Sequence, residues 1–180
     1  MKHFMPLAAA LIAFFALSLP SHAADLKIYY MDSQRILTDS LAGKDAYKQL
    51  EVLKDERQQE IDRMQANLKK MTDEMAAKGL TMNESARLDL QNNYDSELKK
   101  YNRFVKDAQE ELRKKELALI KPISDEVSAI IDEYGDQHNI DIILDRRDPG
   151  IIYTSKKLDI TDAILELYNK KYQETAGKKK

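Results

Sequence analysis

The sequence predicts an α+β protein, predominantly helical, in which a long antiparallel helical hairpin forms an arm on a small β body completed by oligomerisation. Between residues 41 and 134 the chain has two glycines and one proline, and Lys, Glu, Gln, Leu and Ala dominate, which is typical of helix. Short runs of β-branched and aromatic residues flank this stretch on both sides and predict strands. Cysteine is absent, so no disulfide can stabilise the small body.

The first residues have the pattern of a cleaved signal peptide. Lys2 precedes an apolar run over residues 7–19, and small residues follow at the −3 and −1 positions of a cleavage site after Ala23. Those thirteen residues span only about 20 Å of helix, which is short of the roughly 30 Å core of a bilayer. A membrane anchor is therefore the weaker interpretation, and we expect the chain to be exported from the cytoplasm.

The composition of the mature chain argues against catalysis. Two of the three histidines, His3 and His22, precede the cleavage site, so His138 remains alone and there is no thiol. Cysteine–histidine and zinc–thiolate sites are thereby excluded, and a Ser-His-Asp site would have to be built around His138. That residue follows a stretch where a helix is predicted to end, which favours an ordinary surface position. We therefore expect no enzyme, no catalytic residues, no cofactor and no metal.

The charge balance gives no reason to expect a nucleic-acid partner. One of the 29 basic residues leaves with the signal and all 31 acidic residues stay, so the mature chain has a formal charge of −3. No later stretch approaches the ~18 consecutive apolar residues of a spanning helix, so we expect no stable membrane insertion.

The helical stretch has the heptad pattern of a coiled coil, because apolar side chains recur at alternating steps of three and four. The seam positions are Tyr47, Leu50, Ile61, Met64, Leu68, Met71 and Met75 in one run and Tyr94, Leu98, Tyr101, Val105, Ala108, Leu112 and Leu119 in the next. Lys54, Arg57 and Lys115 interrupt this pattern. The seam is therefore predicted to be imperfect and pliable.

A reversal near residues 79–83 separates the two runs and forms the tip of an arm that spans residues 41–121. Gly79 suits a left-handed helix stop, and Thr81 and Glu84 have the spacing of a capping box. Folding the chain about Thr81 brings the two seams into one register. The expected neighbours are Leu68 with Tyr94, Met64 with Leu98, Ile61 with Tyr101, and Leu50 with Leu112.

The body is predicted from the two ends of the mature chain, residues 24–40 and 122–174. Residues 26–31 predict one strand, and residues 140–145 and 151–154 predict two more joined by a turn at Asp148-Pro149-Gly150. An amphipathic helix follows, with Asp159 or Thr161 as its N-cap, and residues 175–180 are predicted to be a disordered tail.

Pro122 should kink the returning helix at the base of the arm. Three short strands and one small helix form too small a core to be stable alone, and a two-helix arm buries only one seam. We therefore expect oligomerisation through a sheet completed between chains. The predicted residues of this body are Ile28, Tyr30, Ile142, Leu144 and Ile152.

Both ends of the mature chain resemble those of the Skp/OmpH family of periplasmic chaperones. At the start, a strand leads into residues 31–37, and Ser40 with Ala42-Gly43-Lys44 opens a long helix. At the end, residues 140–145, the Ile152-Tyr153 segment and residues 158–162 lead into a last helix. The resemblance implies a periplasmic homotrimer whose strands form a shared barrel. It also implies three arms that enclose a cavity in which unfolded outer-membrane proteins are held without ATP.

A chaperone that holds many unfolded chains needs adaptable apolar contacts rather than one shape-matched pocket. The predicted client-binding candidates are five apolar residues that fall off the seam in the outer part of the arm: Leu80, Met82, Leu88, Leu90 and Phe104. The alternative interpretation is a structural coiled-coil spacer or adaptor that docks one fixed partner in the cell envelope.

Overall fold

The computed structural model describes residues 25–78 and 81–177. The predicted signal peptide with its cleavage site after Ala23, the helix stop at Gly79 and the candidate Leu80 lie outside the described residues. The elements in chain order are β1 (Ile28–Met31), α1 (Ser33–Asp39), α2 (Leu41–Lys78), α3 (Glu84–His138), β2 (Ile142–Asp145), a short 3₁₀ helix (Lys156–Leu158) and α4 (Thr161–Gly177). The predicted α+β class, with helix predominant, is confirmed.

Helices α2 and α3 pair along the predicted seam to form the arm. Leu68 and Ala108 are 9% and 3% exposed, and every other predicted seam residue is half-buried. Leu50 and Leu112 line the same groove, as the predicted register requires. The 38 residues of α2 correspond to about 57 Å of helix. Two helices cover each other on one side only, which explains why most of the seam is half-buried rather than fully buried.

The polar interruption of the seam contains an ion pair between the two helices. Arg57 Nε lies 2.7 Å from Glu111 Oε2, and Arg57 Nη2 lies 2.8 Å from Glu111 Oε1. These two hydrogen bonds raise the pKa of the Arg57 guanidinium and lower the pKa of the Glu111 carboxyl. The interruption is therefore a directional contact between α2 and α3 and not merely a gap in the apolar packing.

The tip uses caps that differ from the predicted ones. Asn83 has an extended backbone and its side-chain oxygen accepts the amide of Ala86 at 2.8 Å, so Asn83 is the N-cap of α3. The Thr81 hydroxyl instead donates to the carbonyl of Lys78 at 3.0 Å and satisfies the end of α2. The capping box predicted for Thr81 and Glu84 is wrong, because the residue directly before the helix has the better-placed acceptor.

Helix α3 is uninterrupted over 55 residues, through Pro122, so the returning arm helix continues into the body. The end predicted near Tyr134 is one turn too early. Asn139 takes the left-handed conformation with φ of 50°, and the amide of Ile140 donates to the carbonyl of Gly135 at 2.9 Å, as in a Schellman motif. Asparagine tolerates this conformation better than most residues, which explains why the helix stops there and not at the glycine.

The sheet of the single chain consists of two parallel strands. β1 pairs with β2 in the register Ile28 to Ile142 through Met31 to Asp145. Residues 151–154 form no strand, so the predicted hairpin is wrong for the single chain. Within the described residues no strand pairs with the outer edge of β2, and the segment that follows β2 passes instead to the other edge of β1. There the amide of Ile160 donates to the carbonyl of Tyr30 at 2.9 Å.

The arm and the body share one hydrophobic core. Its buried members are Ile36, Ala42, Ala46, Ile123, Val127, Ile130, Ile160, Ile164 and Tyr168. Helix α4 also holds the start of α2 through polar contacts: Asn169 Oδ1 accepts the amide of Leu41 at 2.8 Å, and the Tyr172 hydroxyl donates to Asp45 at 2.8 Å. Burial raises the pKa of Tyr168, whose ring is 1% exposed. The base of the arm is therefore fixed by the same residues that fill the body.

Both predicted caps lie at the start of α4. The Asp159 carboxylate accepts the amide of Thr161 at 2.9 Å, and the Thr161 hydroxyl oxygen accepts the amide of Asp32 at 3.0 Å. At its other end α4 continues to Gly177, where a disordered tail was predicted from residue 175. The Thr175 hydroxyl lies 3.0 Å from the carbonyl of Lys171, within the last turns of this helix.

Helix α1 was not predicted from the sequence, which indicated a helix only from residue 41 onwards. Asp32 caps it by accepting the amide of Arg35 at 2.9 Å, and Ile36 is buried beneath it. Ser40 then ends α1, and its hydroxyl oxygen accepts the amide of Gly43 at 3.1 Å in the first turn of α2. Two helices therefore meet at a sharp corner around Ser40.

The corner between α1 and α2 requires glycine at position 43. A Cβ there would lie 1.6 Å from the carbonyl oxygen of Leu37. Backbone would have to move, so Gly43→Ala should lower the free energy of unfolding by about 1–3 kcal/mol. At an ordinary helical site, the same change from glycine to alanine would raise the free energy of unfolding by ~1 kcal/mol. Urea unfolding followed by circular dichroism measures the difference. Gly150→Ala is the control, because its Cβ would meet nothing within 4 Å; equal losses in both variants would contradict the steric argument.

The ion pair of the arm should make its stability depend on pH. Glu111 has a lowered pKa in the folded chain, so its contribution is present above the ordinary value of 4.5 and is lost as pH falls through the folded-state pKa. Between about pH 5 and pH 3, thermal unfolding by circular dichroism should show a steeper decline for the native chain than for Glu111→Gln. Parallel declines would show that the pair does not contribute.

Exchanging the two charges tests the same pair at neutral pH. Arg57→Glu should destabilise the arm, and adding Glu111→Arg should restore part of the lost stability.

Candidate functional site

Exposed apolar side chains on the arm form the first candidate surface. Leu88 is 60% exposed, whereas Met82, Leu90 and Phe104 are half-buried, and Leu80 lies outside the described residues. Leu88 and Leu90 occupy the first two turns of α3, and Phe104 lies about 24 Å further along the same helix. The described candidates are therefore distributed along the arm and are not gathered into one pocket.

Two further exposed apolar residues lie nearer the base of the arm. Val52 on α2 is 53% exposed and Leu117 on α3 is 57% exposed. Neither belongs to the heptad seam, so their off-seam positions in the sequence are the signal that could have identified them, although the predicted candidates lie only in the outer part of the arm. Apolar contacts are thus available along most of its length.

The second candidate surface is the outer face of the sheet. Ile28, Ile142 and Leu144 are 37%, 40% and 36% exposed. Side chains alternate along a strand and paired residues of parallel strands share a face, so these three point to the same side. Tyr29, Met31 and Ile143 lie on the opposite face and pack on the core. A two-stranded sheet with one covered face therefore presents an apolar outer face.

The remaining two predicted body residues have different surroundings. Tyr30 is 3% exposed, so its side chain is already buried within the single chain. Ile152 is 97% exposed and its neighbour Tyr153 is 85% exposed. Two large apolar side chains in adjacent positions thus project away from the body directly after the turn.

A hydrogen-bonded cluster fixes the turn that leads to this exposed segment. The Arg147 guanidinium donates to Ser33 Oγ at 2.6 Å and to Gln34 Oε1 at 3.0 Å, and its amide donates to Asp145 Oδ1 at 3.0 Å. Burial alone would raise the pKa of Asp145, but the hydrogen bonds from Ser33 and Arg147 lower it. The end of β2 is therefore tied to the first turn of α1.

Within residues 25–78 and 81–177, no three histidine, cysteine, aspartate or glutamate side chains are grouped so that they could hold a metal ion. No helix in that part of the chain has both the length and the apolar character needed to cross a membrane.

Comparison with known proteins gives a family and a fold. A family model described as outer membrane protein (OmpH-like) matches residues 27–168. A solved structure from Caulobacter crescentus, described as an OmpH-like outer membrane chaperone, superposes with a TM-score of 0.70 at 18% identity. The match covers 81% of this chain and 85% of that one, and at this identity it shows the fold alone. No curated protein matches the chain.

Proposed function

Because the chain belongs to the Skp/OmpH family, we propose that it is an ATP-independent holdase chaperone that binds unfolded outer-membrane proteins in the periplasm. The observation that best supports this function is the arm. Its helices extend far beyond the shared core and carry apolar side chains that neither helix covers, among them Leu88, Val52 and Leu117. Such a surface can contact an unfolded chain at several points.

Weak contacts at many points suit a holdase, because the client must be kept from aggregating and later released without ATP. Each exposed aliphatic side chain can remove some apolar client surface from water, at roughly 25 cal/mol per Å². Contacts that are spread over a long arm also tolerate clients of different sequence, since no single pocket has to be filled. The half-buried seam allows the arm to adapt to them.

The outer face of the sheet supports assembly into a homotrimer. Ile28, Ile142 and Leu144 form an apolar face on a sheet of only two strands, which leaves the outer edge of β2 without a partner in the described chain. Neighbouring copies could cover this face and pair with this edge. Ile152 and Tyr153 add two further exposed apolar side chains to the body. In the proposed assembly Tyr30 belongs to the shared sheet but contacts only its own chain, because its side chain is buried there and its carbonyl accepts the amide of Ile160.

Replacing Ile142 by aspartate tests the assembly. A carboxylate on the outer sheet face would be buried without a partner in the proposed trimer, so Ile142→Asp should yield monomers in light scattering. Asp141→Asn is the matched control, because that neighbouring residue is exposed, and it should leave the trimer intact. A trimer of unchanged mass in Ile142→Asp would exclude a sheet shared between chains.

Shortening the arm tests the client-binding function. Replacing residues 61–101 by a short turn retains the Arg57–Glu111 pair and the whole core, so the body should still assemble. Protection of an unfolded outer-membrane protein against aggregation, measured by light scattering at equal trimer concentrations, should be lost. Leu88→Ala in the full-length chain should change it by less than about twofold, because many contacts share the binding.

The outcome also separates the chaperone from an adaptor that docks one fixed partner. Full protection by the shortened form would place client binding on the body or on the retained base of the arm, and it would exclude the outer arm. Abolition of binding by Leu88→Ala alone would indicate one specific docking site, as an adaptor requires. Protection of several unrelated unfolded β-barrel proteins by the full-length chain supports the holdase.

A further inference from the structure

An open groove runs between α2 and α3 at the base of the arm, on the side next to the end of α1. Its volume is about 980 Å³, and Tyr47, Leu50 and Leu112 form an apolar floor. These three belong to the seam but remain half-buried, because two helices cover each other on one side only. The groove is open along one side, so it suits an extended segment with several side chains better than an enclosed small molecule.

Three lysines rim this groove. Lys44, Lys48 and Lys54 line it and are exposed, and none lies within ion-pair distance of a carboxylate in the described part of the chain. Several other lysines of the two arm helices do have such partners three or four residues away. Examples are Lys69 with Asp73, Lys78 with Glu74, Lys100 with Glu97 and Lys121 with Asp125.

The acidic residues of the groove do not balance its basic residues. Glu51 and Glu116 line it, whereas Arg113 adds a fourth positive charge, so the lining has a formal charge of +2. The second groove at the base of the arm has a net charge of the opposite sign. It is lined by Asp45, Glu56 and Glu111 together with Lys115 and with Lys48, which lines both grooves, and this gives −1. The first groove should therefore attract acidic segments, and the second groove should attract basic ones.

We propose that this basal groove binds an acidic segment of the unfolded client. Apolar side chains of the segment would lie on Tyr47, Leu50 and Leu112, and its carboxylates would pair with Lys44, Lys48 and Lys54. This inference rests on the proposed chaperone function and adds a site near the body to the apolar contacts along the arm. The lysines favour segments that carry carboxylates, and the apolar floor contacts the apolar side chains of such segments. Binding of an apolar segment with basic flanks is therefore expected to be weaker.

Binding of a defined peptide tests the groove. The probe is a fluorescein-labelled, unstructured peptide in which leucines alternate with aspartates, and its counterpart has asparagine at every aspartate position. In anisotropy titrations with the full-length chain, the triple variant Lys44→Gln, Lys48→Gln, Lys54→Gln should bind the acidic peptide about tenfold more weakly than the native chain. Both proteins should bind the asparagine peptide equally.

A matched control removes the same net charge elsewhere. Lys156, Lys170 and Lys171 are exposed residues outside the groove, and their triple glutamine variant should bind the acidic peptide as the native chain does. Equal weakening in both triple variants would show that overall charge, and not the groove, governs binding. No weakening in the groove variant would likewise overturn the proposal.

Photo-crosslinking identifies the occupant during client binding. Gln109 lines the groove, and a benzoylphenylalanine in its place should crosslink to an unfolded outer-membrane protein. Crosslinks between two copies of the chain would instead assign the groove to self-assembly, and an absence of client crosslinks would exclude it as a client site. If the native chain suppresses client aggregation and yet the groove tests fail, only this inference falls. If the native chain suppresses no aggregation, the proposed function fails.

Discussion

The packing of α4 against the joined bases of α2 and α3 is the contact on which the remaining structure depends. Ala42 and Ala46 are small enough for α4 to approach α2 closely, and Ile164 and Tyr168 fill the space between them at 0% and 1% exposure. The same core includes Ile130 of α3. Since α2 and α3 are continuous from this core into the arm, the direction of the arm is set where the body is packed, and the tip needs no contact with the body.

Beyond that core the arm depends on a narrower set of interactions. The seam is mostly half-buried, and the long helices are supplemented by local ion pairs on their exposed faces, each of which contributes little by itself. The bidentate Arg57–Glu111 contact is different because it joins the two helices. A stable base and a less stable outer arm suit the proposed function, in which the outer arm adapts to the client and the body assembles.

The candidate surfaces could be predicted from the sequence only in part. Off-seam position correctly indicated that Leu88 is exposed, but the same rule also selected Leu90 and Phe104, which are half-buried. Heptad position states which side of a helix faces its partner, and it does not state how far neighbouring side chains cover the flanks. The basal groove was missed because its floor consists of seam residues, which the pattern assigns to packing.

The sequence by itself determined the helical hairpin, its register and the positions of the two strands, because heptad spacing and β-branched runs are local patterns that repeat along the chain. Only the tertiary structure decided how the strands pair. Strand partners lie more than 110 residues apart, and a β-branched run carries no information about which edge it will meet. The pairing of β1 with β2 in parallel, the passage of residues 151–160 to the far edge, and the exposure of Ile152 all follow from where α3 returns the chain to the body. The close approach of Gly43 to Leu37 was hidden for the same reason, since it depends on how α1 folds back on α2.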